Sequence, residues 1–294
     1  MTNAIETHGL TKDYGNGHGI FDLEVAVTEG EVFGYLGPNG AGKTTTLKLL
    51  MGLIHASRGG ATIFGLDVDR DAVALKKRIG YVPGELPQFG GWRGAEIVGY
   101  VAGLRGDVPD DRVEVIAKRL DLDLGRKYRE YSHGNKQKLA LLLAFVPEPA
   151  LLIVDEPTTG LDPLHQQVFH ALVREAKARG GTVLISSHVL SEVEQVCDRV
   201  GIVRDGRLAT VGPIAELSGI KAHHVAIDFA GAPPLDRLKA LTGFEQLTVE
   251  GTRVRGLYRG SFDPLLTAIS GSPVTSLTSR EPSLEEIFLS YYSK

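Results

Sequence analysis

The stretch Gly37-Pro38-Asn39-Gly40-Ala41-Gly42-Lys43-Thr44-Thr45 constrains this chain more than any other. It lies between an apolar run, Val32-Phe33-Gly34-Tyr35-Leu36, and a helix-patterned run from Thr45 to Leu53. That is the strand, glycine-rich turn and helix context that G-x-x-x-x-G-K-[ST] requires. Glycines at 37, 40 and 42 let consecutive backbone N–H groups point inward at a polyanion, which makes a phosphate cradle. Lys43 brings a mobile positive charge for the β- and γ-phosphates of a nucleotide, and the Thr44 hydroxyl is placed to ligate Mg²⁺. The positive end of the helix faces the same phosphates, each contact being worth about 0.3–2 kcal/mol. The dinucleotide fingerprint needs G-x-G-x-x-G, whereas this turn reads G-x-x-G-x-G.

Composition excludes several classes. The 294 residues suggest two domains, and 43% apolar with 23% charged residues suits a large buried core. A net charge of −4 gives no general basic surface, so nucleic acid is not expected as a partner. The single cysteine, Cys197, stands among Val193, Val196 and Val200 at helical spacing, which points to packing and a reducing compartment. Met1 to Leu10 lacks the cationic and apolar regions of a signal peptide. Leu139 to Val146 is stopped by Pro147-Glu148-Pro149, well short of the ~20 residues that span a bilayer. The expectation is a cytoplasmic protein with no membrane span of its own.

Residues 3 to 36 alternate as strands, with turns at Asp13-Tyr14-Gly15-Asn16 and Thr28-Glu29-Gly30. Tyr14 precedes the phosphate loop, where its ring either stacks on adenine or is a plain turn residue. A strand at Ala61 to Phe64, a helix around Asp71 to Arg78 and a short strand Ile79 to Val82 follow. Residues 85 to 145 read as a helical insert: Ala95 to Leu104, Asp110 to Leu120 and a third helix from Asn135. Leu151 to Val154 and Thr182 to Ile185 are uninterrupted apolar strands, as in a parallel sheet buried on both faces. The helix Pro163 to Arg179 between them completes a βαβ unit. Asp205-Gly206 joins Val200–Val203 to Leu208–Val211 as a hairpin. Texture changes near Leu217 to Lys221, giving expected domains of 1–217 and 218–294. The second is a small α+β unit that ends in a helix from Ser283, where Ser283 and Glu286 form a capping box.

Asp155 follows an apolar strand directly, so its carboxylate emerges at the carboxyl edge of the sheet, where it can share Mg²⁺ with Thr44. Glu156 projects differently and is free to orient or deprotonate an attacking water. Tyr131-Ser132-His133-Gly134-Asn135-Lys136-Gln137-Lys138 resembles the signature motif of ATP-binding cassette (ABC) proteins. Leu152 to Pro157 resembles their Walker B motif, Gly160-Leu161-Asp162 their D-loop, and Ser186-Ser187-His188 their switch histidine. The signature form and the ending Glu281 to Leu289 are similar to ATPase subunits of bacterial ABC-2-type exporters.

Ser132 and Gly134 offer a hydroxyl and an open N–H at a helix start, a second anion site. The resemblance implies a phosphate-loop NTPase core with an antiparallel β subdomain and a helical insert, plus the C-terminal α+β domain. It also implies a head-to-tail homodimer in which each ATP lies between one chain's Lys43 loop and the other's Ser132 loop. On it, Asn135 and Asp162 join the nucleotide contacts, and His188 senses the γ-phosphate beside Glu156. The implied partners are integral membrane permease subunits that dock near Glu85 to Trp92, unless Phe89 and Trp92 are core residues. They would hold the protein at the inner face of the cell membrane. A soluble ABC ATPase acting on ribosomes or chromosomes is the alternative. The C-terminal unit either stabilises or regulates the pair or is a packing annex. The chain departs from the family where Gly84, with Glu85 beside it, replaces a glutamine, and at His133 and Asn135.

Overall fold

A computed structural model describes residues 2–106, 110–214 and 222–280. The chain divides into two compact units, Met1–Pro213 and Ile214–Lys294. The 217–221 boundary, the Ser283–Glu286 capping box and the 281–289 ending lie outside the described residues.

The strands of the first unit are β1 (Asn3–Asp13), β2 (Gly19–Leu23), β3 (Ala26–Thr28), β4 (Val32–Leu36), β5 (Arg58–Ile63), β6 (Leu66–Asp67), β7 (Ile79–Val82), β8 (Leu151–Asp155), β9 (Thr182–Ser187), β10 (Arg199–Arg204) and β11 (Arg207–Pro213). The main sheet runs β11-β10-β4-β9-β8-β7. Its strands are parallel except β11, which returns from β10 through Asp205 and Gly206, both at positive φ (48° and 72°). β4, β8 and β9 are buried at every residue, which is why they read as unbroken apolar runs. The second sheet is antiparallel, β2-β1-β5-β6 with β3 on β1.

Helices α1 (Lys43–Leu50), α2 (Ala72–Arg78), α3 (Gly94–Arg105), α4 (Asp110–Arg119), α5 (His133–Phe145), α6 (Pro163–Ala178) and α7 (Leu190–Val196) connect these strands. The insert is α3 to α5, and α5 starts two residues before the expected Asn135. The Ser132 side chain accepts the Asn135 N–H at 3.2 Å and so caps the helix at its true origin.

The second unit is a four-stranded antiparallel sheet from Ala222–Phe229, Phe244–Glu250, Arg253–Arg259 and Val274–Arg280. The first of these pairs with the third and the fourth. Helices Leu235–Lys239 and Phe262–Ile269 complete a βαββαβ order. Val225, Ile227, Phe229, Val254 and Tyr258 bury against Leu238, Leu265 and Ile269.

Gly34 lies mid-strand in β4, where an added Cβ would stand 2.5 Å from Val193 Cγ1 and 3.3 Å from Cys197 Sγ. Close approach of α7 to the sheet therefore requires glycine here. Gly34→Ala is expected to cost about 1–3 kcal/mol in urea denaturation. Gly60→Ala, which meets no heavy atom within 4 Å, should stay within about 0.5 kcal/mol.

His170 on α6 is buried, and that burial, with the Arg174 charge second, holds its imidazole below the ordinary range. The native state then binds fewer protons than the unfolded chain. This contribution is fully present above pH ~6.5 and is lost as pH falls toward the folded value, at up to about 1.4 kcal/mol per pH unit. Denaturation between about pH 7.5 and 5 should show the loss, and His170→Leu should flatten it.

Candidate nucleotide site

The phosphate loop joins β4 to α1, and its glycines meet two separate demands. Gly40 and Gly42 hold φ of 86° and 101°, the left-handed region that favours glycine. Gly37 and Gly42 are also wedged in: a Cβ would stand 2.6 Å from the Val203 carbonyl oxygen and 2.4 Å from Ile20 Cγ2 respectively. The loop is thus held by β10 on one side and by the start of β2 on the other.

Around it opens a cavity of about 300 Å³. Pro38, Asn39, Gly40, Gly42, Lys43, Thr44 and Thr45 line it, and Tyr14 and Glu156 close its edges. Gly37 and Ala41 are not on its lining; the Ala41 amide donates to Pro38 O at 3.2 Å. His18 and Gly19 line the cavity as well. Sequence reading passed over both, since an exposed turn histidine carries no motif of its own. Tyr14 is 58% exposed with the Lys12 ammonium 5.5 Å from its ring centroid, so the aromatic face is open to the cavity mouth rather than packed.

Lys43 is 5% exposed. Its ammonium donates to Gly37 O at 2.7 Å and to Pro38 O at 3.2 Å, and it lies 3.2 Å from Glu156 Oε1. The other Glu156 oxygen stands 2.7 Å from His188 Nδ1. A continuous Lys43–Glu156–His188 chain therefore runs from the loop to the end of β9. Glu156 adopts φ 48°, rare for a residue with a side chain and worth about 1–3 kcal/mol of local strain. That backbone is fixed where the Glu156 N–H donates to Ser186 O (3.1 Å) and Ser186 Oγ (3.2 Å).

Asp155 is fully buried at the end of β8. It accepts the Thr44 hydroxyl at 2.7 Å on Oδ2 and the Ser186 hydroxyl on Oδ1. Among the described residues no three His, Cys, Asp or Glu side chains cluster as a metal site. The donor set at this point is one hydroxyl and one carboxylate. Such a pair suits a hard ion that draws its remaining ligands from phosphate and water, as Mg²⁺ does.

The signature segment lies elsewhere. Ser132, Gly134, Asn135 and Asp162 are absent from the lining of the Lys43 cavity. Gly134 packs on the 160 loop, where a Cβ would stand 2.6 Å from Gly160 O, and Gln137 Nε2 donates to Pro157 O at 2.9 Å. Asp162 caps α6. Its Oδ1 accepts from the Leu164 and His165 amides at 3.0 and 3.1 Å, and its Oδ2 lies 2.6 Å from His165 Nδ1. The His165 amide, then its ring, hold this carboxyl below the usual carboxylate range.

Glu192 was not singled out from sequence either. Burial first raises its carboxyl pKa, with Thr158 Oγ1 donating to it at 2.6 Å and Ser187 Oγ at 3.3 Å. It ties the loop after β8 to the end of β9.

This geometry agrees with comparisons to known proteins. Residues 20–159 match the family model described as ABC transporter. The chain is 33% identical to the bacitracin transport ATP-binding protein BcrA of Bacillus licheniformis, over 98% of this chain and 97% of that one. It is 32% identical to the Nod factor export ATP-binding protein I of Cupriavidus pinatubonensis, over 98% and 90%. A solved ATP-binding subunit of an ABC transporter superposes with TM-score 0.68 at 29% identity, covering 74% of this chain and 92% of that one. A phosphate loop, a buried carboxylate and a glutamate–histidine pair at one sheet edge, in a chain this similar along its length, make it a member of the ABC transporter family, as one of that family's ATP-hydrolysing, ATP-binding subunits.

Proposed function

We propose that this chain powers an exporter, working as a head-to-tail pair of identical copies against separate membrane-spanning subunits. The relatives named for bacitracin transport and Nod factor export support the exporter reading over a ribosome- or chromosome-acting ATPase. The observation that carries the pairing is the separation of the two anion sites. The Lys43 cavity holds the cradle, Asp155 stands beside Thr44 and Glu156 beside Lys43, while the Ser132 helix start lies outside it. A second copy turned head to tail would bring its Ser132, Gly134 and Asn135 over the triphosphate.

In the cycle, triphosphate oxygens take over the Lys43 ammonium from the Gly37 and Pro38 carbonyls and from Glu156. Tyr14 stacks on adenine, and Thr44 and Asp155 would hold Mg²⁺, whose charge would offset that of the phosphates. Glu156, released from Lys43, orients a water and accepts its proton as oxygen attacks the γ-phosphorus and ADP departs. His188 donates through Nδ1 to Glu156, so its Nε2 can also donate to the γ-phosphate only as the imidazolium, with both ring nitrogens protonated. Closure on ATP and opening after hydrolysis pass to the permease.

Phe89 packs edge-on against Tyr128 (5.3 Å, 84°), so it belongs to the body of the insert. Trp92 is 45% exposed and edge-on to Tyr100, which is also exposed. Trp92 is therefore the residue of the two that is placed for docking. No helix among the described residues is long and apolar enough to cross a membrane. A permease would hold the chain at the cytoplasmic face.

Glu156→Gln is expected to reduce ATP turnover about 10²–10⁴-fold while letting the pair form with Mg-ATP, seen as a dimer by gel filtration with light scattering. Adding Lys43→Ala should return it to a monomer. A Glu156→Gln protein that stays monomeric with saturating Mg-ATP would overturn the paired site.

A further inference from the structure

Three side chains outside the Lys43 cavity form an unbroken line. Lys138 on α5 is 8% exposed, and its ammonium lies 2.9 Å from His165 Nε2. On the other side of the ring, Nδ1 lies 2.6 Å from Asp162 Oδ2. An ammonium can only donate, so Nε2 is the acceptor and the ring proton sits on Nδ1, where it donates to the carboxylate. Every polar atom of a neutral imidazole is then used, and a buried cation is connected to an anion through it.

The line joins two segments that also touch through Gln137–Pro157 and through Gly134 and His133 against Gly160. One segment begins α5 and carries Ser132 and Gly134. The other is the 157–162 loop, which enters α6 at the Asp162 cap. A buried lysine left without a partner is strongly destabilising, so the ring cannot leave one segment without disturbing both.

We propose that His165 is a positioning residue that locks the Ser132 loop to the Asp162 loop, so that the two move as one lip when a second copy closes over ATP. This rests on the paired-site reading above. Asp162 takes part by anchoring the ring through its carboxylate, not by touching nucleotide. A merely structural histidine would affect stability of the whole unit; a positioning one affects the two loops and the steps that use them.

The test uses the full chain with His165→Leu, His165→Gln and the double variant Lys138→Met/His165→Leu, in which the stranded buried charge is also removed. In each, amide hydrogen exchange of residues 131–135 and 158–162 is followed without nucleotide. ATP affinity of the isolated chain, turnover, and Mg-ATP-driven pairing in the Glu156→Gln background are measured beside it. His165→Leu and the double variant should speed exchange in both loops and lower kcat roughly tenfold, for a coupling of the usual size between contacting residues. Pairing should fall to match, while ATP affinity of the single chain stays within twofold. His165→Gln, whose amide can accept from Lys138 and donate to Asp162, should keep at least half of wild-type turnover. Wild-type exchange in the 131–135 loop of His165→Leu or the double variant would overturn the proposal. So would a double variant that regains thermal stability and turnover together. Exchange is read on unpaired protein, so a failure of Glu156→Gln to dimerise would sink the paired site without deciding the role of His165.

Discussion

A lysine ammonium that is 5% exposed must be compensated within the protein, and the carboxyl edge of the main sheet is arranged around that demand. Two loop carbonyls and the Glu156 carboxylate supply the compensation. The same groups are what a triphosphate would displace. On the proposed mechanism, binding and readiness for chemistry are therefore one event: the carboxylate that must accept a proton is tied to Lys43 until phosphate oxygens take the lysine away. His188 holds the other carboxylate oxygen, a contact that does not involve Lys43 and so would still orient the freed base.

The precision of this arrangement comes from register in a parallel sheet. Asp155 stands opposite Ser186 in the pairing of β8 with β9. The Ser186 hydroxyl donates to Asp155, and Ser186 also receives the Glu156 amide. One serine thus places two consecutive carboxylates that point in different directions, and the positive φ of Glu156 is the local conformation that separates them. β4 delivers the phosphate loop beside β9 through the same parallel pairing, Leu36 opposite Ser187. Side chains distant in sequence meet because three buried strands end at one level.

Much of this was legible beforehand because it rests on local rules. Strands buried on both faces show as apolar runs, the loop glycines show as a fixed spacing, and Asp205-Gly206 shows as a hairpin turn. What sequence could not show depends on contacts between elements. His18 reaches the cavity only because the turn before β2 folds against Gly42. Glu192 matters through Thr158, 34 residues away in the chain, and through Ser187. Asp162 followed a family pattern, yet its bond to the His165 ring depends on a side chain three residues on that the motif does not include. The start of α5 was misplaced by two residues because apolar periodicity begins later than the cap does.

Gly84 is the clearest departure from the family, and packing gives it a reason. A Cβ at that position would stand 2.7 Å from Asp155 Oδ2. The backbone leaving β7 is pressed against the buried carboxylate, and no longer side chain fits while Asp155 holds this place. Nearby, burial pushes the Tyr81 hydroxyl up to about 12, with the Asp155 and Glu85 charges adding to the shift. Tyr81 therefore stays a neutral phenol, while both carboxylates contribute negative potential at the same end of β7 and β8. A dication held by Thr44 and Asp155 would meet Glu85 charge through space, where the family pattern has an uncharged amide.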